Sequence, residues 1–107
     1  LGVTKGDEVI VPDVTWIASV APITYVGAIP VFVDINDDDW CISVSAIKKA
    51  ITPKTKAIVV VDLYGNMPQM EEIQRIAKEH NLHIIEDAAE SLGAKYNSLP
   101  SGAFGDI

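Results

Sequence analysis

The stretch Leu82-His83-Ile84-Ile85-Glu86-Asp87-Ala88-Ala89-Glu90-Ser91 decides how this chain folds. Its apolar opening, Leu82 to Ile85, suits a buried strand of a parallel sheet. Two carboxylates follow, then two alanines, then a third carboxylate. In an open α/β sheet, ligands bind beyond the carboxyl ends of the strands. Asp87 is therefore expected where a fixed negative charge meets a bound group. Ala88 and Ala89 leave room for a flat ligand close to the backbone. The bland alternative makes the acid a cap for a following helix. Glu90 by itself reads as a solvated helix residue.

Upstream of that strand, Met70, Ile73, Ile76 and Ala77 recur at helical spacing, with Pro68 expected in the first turn and an end near His80-Asn81. Ala57 to Val61 is a β-branched run that predicts a central strand, with Asp62-Leu63-Tyr64-Gly65-Asn66 at its carboxyl end. Ser43 or Ser45 is placed to cap a short helix whose buried face carries Val44, Ile47 and Ile51. Pro30 to Asp34 predicts another strand, followed by the acidic turn Asn36 to Trp40. Glu8 to Val11 is a strand ending at Pro12. Asp13 or Thr15 could then cap a helix starting near Trp16, with Ile17, Val20, Ala21 and Ile23 or Thr24 on its buried face. Pro22 should kink or restart that helix, and Gly27 closes it. Downstream, Lys95 to Gly102 reads as a hairpin turning at Asn97-Ser98. Strands alternating with helices predict a three-layer α/β/α architecture with a mostly parallel sheet.

Composition narrows the function. The chain has 107 residues, a formal net charge of −7 and 49% apolar residues. That is enough for one small globular domain. The acidic balance argues against a nucleic-acid backbone or an anionic membrane as partner. The single cysteine, Cys41, cannot form an internal disulfide, so a reducing, cytoplasmic setting is expected. No apolar run approaches the roughly 20 residues a membrane span needs. Leu1 at the start, a helix-capping Gly6 with no helix before it and the strand-like Gly105-Asp106-Ile107 suggest a piece of a larger protein, cut at both ends.

Several motifs give no site. Asp34, Asn36 and Asp38 imitate the opening of a calcium loop, but Asp39 stands at its turn glycine and Ser45 at its bidentate glutamate. His80 and His83 lack a third ligand for zinc. There is no Walker loop, Rossmann glycine fingerprint or nucleophile elbow. Cys41 has no activating base near it in sequence, and Trp16 alone reads as a core or lid aromatic.

Seven segments nevertheless match one family in order and spacing: Gly6 to Pro12, Thr15-Trp16, Tyr25 to Asp34, Ile51 to Ile58, Leu63-Tyr64-Gly65, Glu86 to Ser91 and Gly102 to Asp106. Together they resemble the large domain of the DegT/DnrJ/EryC1/StrS family. These are fold-type I, pyridoxal-phosphate-dependent aminotransferases acting on nucleotide-linked keto-sugars. The resemblance implies that residues 1–107 are a partial cofactor-binding large domain. It implies transfer of an amino group from an amino acid, glutamate being the expected donor, to a keto-6-deoxy sugar nucleotide. A homodimer with a shared site is also implied.

By resemblance, Asp87 pairs with the pyridine nitrogen of pyridoxal 5′-phosphate, keeping its proton on so that the ring serves as an electron sink. Such a pair would be buried, and losing the acid would cost about 3–5 kcal/mol. Trp16 corresponds to an aromatic stacked on the ring. Glu90 corresponds to the neighbour of the phenolic oxygen, where a carboxylate needs a proton or an intervening group. Asp62 stands where relatives commonly have His, Asp13 where Ser or Thr is usual, and Pro22 is unusual in its helix. Three rivals share the fold: a dehydratase using the same cofactor, a regulatory or binding homologue, and a Mg²⁺-binding phosphoryl acceptor built on Asp34, Asp62 and Asp87.

The Schiff-base lysine is expected downstream of Ile107 and the phosphate-binding segment upstream of Leu1, since no lysine here has the matching context. The 107-residue chain alone is accordingly expected to show no transamination when supplied with pyridoxal phosphate, glutamate and a keto-sugar nucleotide. Consumption of glutamate by this chain would contradict that expectation.

Overall fold

A computed structural model describes residues 1–107. Four parallel strands form the sheet: β1 (Glu8–Pro12), β2 (Ile29–Val33), β3 (Thr55–Val61) and β4 (His83–Asp87), in the order β2-β1-β3-β4. A small antiparallel hairpin, β5 (Lys95–Tyr96) and β6 (Leu99–Pro100), follows. Helix α1 (Ala21–Tyr25) connects β1 to β2, α2 (Val44–Ala50) connects β2 to β3, and α3 (Met70–His80) connects β3 to β4. The first connection moves one way across the sheet and the next two the other way. Helices of one crossover hand therefore fall on opposite faces.

Two hydrophobic clusters record those faces. Val9 and Val11 of β1 and Ala57, Val59 and Val61 of β3 pack with Val20 and with Ile23 of α1. Ile10, Ile58 and Val60, pointing the other way, pack with Ile47 of α2 and with Met70, Ile73, Ile76 and Ala77 of α3. Strand period two thus assigns each side chain to a layer, and the three-layer α/β/α expectation holds.

The local signals behave as their chemistry dictates. Ser43 caps α2, its side chain accepting from the Ala46 amide at 3.4 Å. Asn81 ends α3 in the left-handed conformation, with φ of 55°. Asn97 and Ser98 turn the hairpin with φ of 48° and 70°. Pro68 lies ahead of α3, which starts at Met70. The last residues run beside β4, where the Asp106 amide donates to the Ile84 carbonyl at 2.8 Å.

In the segment after β1 the restart expected at Pro22 is found, but the helix expected from Trp16 is not. In place of one helix from Trp16, a single 3₁₀ turn covers Ile17–Ser19, and α1 restarts at Ala21 with Pro22 in its first turn. Neither Asp13 nor Thr15 caps it: the residue at the turn's N-cap is Trp16, with no side-chain cap. The proline's missing N–H is harmless only in a first turn, which forces the break. Ile17 consequently faces solvent rather than the core.

Ile73→Ala should therefore destabilise the protein by about 2–5 kcal/mol. Ile17→Ala should change stability by less than about 0.5 kcal/mol. Urea denaturation of the two variants in the full-length protein measures both; equal losses would return Ile17 to the core.

Candidate active site

The parallel register pairs Val60 with Glu86 and Val61 with Asp87. Val61 belongs to the α1-side cluster and Val60 to the opposite one, so the two adjacent acids part company. Glu86 turns to the α2/α3 side. There its Oε1 accepts from the Gly102 amide at 2.8 Å, and its Oε2 from the Phe104 and Gly105 amides at 2.8 and 3.0 Å. It folds the segment after the hairpin onto the end of β4. A Cβ on Gly105 would stand 3.0 Å from the Glu86 amide nitrogen, so only glycine fits this approach.

Asp87 turns to the α1 side, into a cavity of about 500 Å³. Apolar groups from Val9, Val59, Ile85, Ala18 and Ile23 supply much of its wall, and Ser19 stands beside the acid. The Ser19 hydroxyl donates to Asp87 Oδ2 at 2.6 Å and shares a hydrogen bond of 2.9 Å with the Thr15 hydroxyl. Asp87 Oδ1 accepts from the Ala89 amide at 3.2 Å, making a local turn where the sequence also allowed a helix cap. No helix follows. No lysine, arginine or histidine forms an ion pair with Asp87. Its partners here are neutral donors, and its side chain is half-buried in the chain by itself.

The other expected site residues lie around this acid. Trp16 immediately precedes the 3₁₀ turn whose Ser19 reaches Asp87. It is 75% exposed, so it is no core residue. Glu90 lies in the turn after β4, not in a helix, and its Oε2 accepts from the Tyr64 amide at 2.9 Å. Tyr64 adopts φ of 54° in the Leu63–Gly65 turn beyond β3. Glu90 therefore ties the loops after β3 and β4 together. The structure brings Asp87, Glu90 and the Trp16 segment to one end of the sheet.

Ser19 escaped the sequence reading, which offered Thr15 only as a helix cap and gave Glu86 no work separate from Asp87. A hydroxyl pair four residues apart, just past a strand end, was the available signal for the first two. The supposed phosphoryl-acceptor trio does not form, because no three His, Cys, Asp or Glu side chains gather as metal ligands. Cys41 is buried, its thiol donating to the Asn66 carbonyl at 3.3 Å. Burial, with the charges of Asp39 and Asp38 nearby, pushes that thiol up to about 12.

The sequence profile of the DegT/DnrJ/EryC1/StrS aminotransferase family matches residues 1–107, the whole chain. The chain belongs to this family. A GDP-perosamine synthase of Escherichia coli is 54% identical over 107 residues, and the chain spans 29% of that relative's length. The crystal structure of an aminotransferase from Psychrobacter cryohalolentis superposes with a TM-score of 0.94 at 41% identity, covering 96% of this chain and 26% of that one. A GDP-4-keto-6-deoxymannose-3-dehydratase, solved with a trapped PLP-glutamate geminal diamine, gives 0.90 at 39% identity over 95% of this chain and 26% of its own. Family members thus share this α/β fold with fold-type I enzymes, and pyridoxal phosphate is the family's cofactor.

The residues present suit that group. A protonated ring nitrogen needs an anionic acceptor on an apolar wall, and Asp87 is one without a cation of its own. Its two bonded donors leave further lone pairs open.

Cys41 should stay a thiol across neutral pH. A rise from 9.0 to about 12 lowers the thiolate population about a thousandfold. Alkylation at mildly alkaline pH should be that much slower in the folded protein than after denaturation, as mass spectrometry can follow; similar rates would refute the burial argument.

Proposed function

We propose that this chain holds the cofactor ring of a pyridoxal-phosphate-dependent sugar aminotransferase. The whole protein would transfer an amino group from glutamate to a keto-6-deoxy sugar nucleotide, with a lysine beyond Ile107 as the covalent anchor. It would work as a cytoplasmic homodimer; no helix here is long and apolar enough to cross a membrane. The observation that carries this reading is Asp87. It is a carboxylate aimed into an apolar-walled cavity at the sheet's carboxyl end, held by Ser19 and Ala89 and lacking a basic partner.

Pyridoxal phosphate, once bound, supplies an electron sink for substrate carbanions. Asp87 would keep the proton on the ring nitrogen, because a carboxylate in a partly dry site favours a cation beside it. Ser19 donates to that carboxylate and fixes its rotamer, and Thr15 steadies the Ser19 hydroxyl. Trp16, exposed next to this pair, would cover one face of the ring and exclude water. Glu90 has one oxygen occupied by the Tyr64 amide. Its other oxygen would stand by the phenolic oxygen, carrying a proton or acting through an intervening group.

A dehydratase reading is supported by the solved dehydratase relative, which holds the same cofactor. The residue in the anchoring lysine's place separates the two.

Asp87→Ala in the full-length protein should weaken pyridoxal phosphate binding by about ten- to a hundredfold, less than a fully buried pair would give. Dialysis followed by visible absorbance measures it, and wild-type retention by the variant would remove Asp87 from the site. Ser19→Ala should give a smaller loss, about threefold to tenfold.

A further inference from the structure

Asp62 has no part in the cofactor reading, yet it is the most deeply buried acid of the chain, with no exposed surface. It sits one residue past β3. Its backbone amide donates to the Asp87 carbonyl at 3.1 Å. Its side-chain Oδ2 accepts from the Ser101 hydroxyl and, at 3.1 Å, from the Ser91 hydroxyl. Ser91 and Ser101 are also bonded to each other. One residue thereby holds the turn carrying Asp87 and Glu90 at both ends and links it to the hairpin loop.

The other oxygen, Oδ1, is buried with no hydrogen-bond partner. An ionised carboxylate is not left so without compensation. No lysine, arginine or histidine pairs with Asp62. The titratable groups facing it make matters worse. Glu86 lies within hydrogen-bonding reach, its own two oxygens held by three backbone amides. Cys41 is the other neighbour, and its buried thiol is neutral.

We propose that Asp62 is an undissociated acid in the folded protein, its Oδ1–H donating to the Glu86 carboxylate, and that this neutral acid positions the Asp87–Ser91 turn. The protons then balance. Oδ1–H goes to Glu86, and the Ser101 hydroxyl goes to Oδ2. The Ser91 hydroxyl has three acceptors in reach, the Ser101 hydroxyl oxygen, Oδ2 at 3.1 Å and the Ala88 carbonyl at 3.0 Å, and its one proton serves one of them at a time. The orphaned oxygen becomes a donor, and the two carboxyl groups attract instead of repelling. Burial, reinforced by the Glu86 charge, holds the Asp62 carboxyl above its usual range, outweighing the opposite pull of the two serine hydroxyls.

The consequence has a definite sign. An acid whose proton is held more tightly in the fold stabilises the fold at low pH. That contribution is lost as pH rises from 3.8, its ordinary value, through the raised one. Asp62→Asn keeps the shape and has no proton to lose. Above pH 3.8, melting of the full-length apoprotein should favour Asp62→Asn over wild type increasingly with pH until the raised value is passed. The infrared C=O stretch of an undissociated carboxyl should be present in wild type and absent from the variant. A gap that is constant, or that moves toward wild type as pH rises, overturns the neutral acid.

The positioning role rests on the reading of Asp87 as the ring's partner. Added pyridoxal phosphate should bind Asp62→Asn within about threefold of wild type, and Asp62→Ala about tenfold more weakly. Ser91→Ala, which leaves the acid in place, should fall between them and serves if Asp62→Ala does not fold. Wild-type affinity in both alanine variants overturns the positioning role. Failure of wild type itself to bind pyridoxal phosphate, with the pH-dependent gap present, overturns the cofactor reading and leaves the neutral acid supported.

Discussion

The pairing of Val61 with Asp87 is the constraint on which the site depends. Parallel strands hold neighbours on the same face, and period two sends successive residues to opposite faces. A slip of one residue would point Glu86 into the α1-side cavity and Asp87 toward the hairpin loop. The register is secured by burial: Ile58 and Val60 must meet α2 and α3, while Ala57 and Val59 must meet the α1 side. Exchanging those sets would expose one face of β3 to the wrong layer. A hydrophobic preference spread over the whole strand thus fixes the aim of a single carboxylate.

That separation gives the two adjacent acids different work. Glu86 satisfies three amides of the loop that carries Gly102 and Gly105. Asp87 receives one hydroxyl and one local amide, few enough to leave it available. A carboxylate saturated by amides is a structural clasp. One with spare lone pairs beside an apolar wall is a site for a cation. The distinction lies in what the neighbours donate, not in residue type.

The legible part of the molecule was the part written in periodicity. β1, β3, α3 and the hairpin follow directly from β-branched runs, the Met70–Ala77 stripe and Asn97-Ser98, because short-range pattern and burial agree there. In the Trp16–Tyr25 segment the restart at Pro22 was legible, whereas the 3₁₀ turn before it was not, because the apolar spacing from Ile17 fits a helix. Of the site, Asp87 was legible from its place at a strand end, and Trp16 and Glu90 only through family resemblance. Ser19 was not, because its partner lies 68 residues away and nothing in the local pattern records that contact. The burial of Asp62 was hidden for the same reason, since Ser91 and Ser101 meet it only through the fold.

Asp62 and Asp87 end neighbouring strands and are joined by a backbone hydrogen bond, yet their surroundings push them apart. Asp62 has no exposed surface, a like charge beside it and hydroxyl donors on one oxygen only. Asp87 stands at a cavity, with a donor on each oxygen and no charged neighbour paired to it. An acid in surroundings such as those of Asp62 serves best as a neutral donor. An anion at Asp62 would place a second charge near Asp87 and loosen the turn it clasps. A neutral Asp62 holds the same turn without adding a further charge behind Asp87.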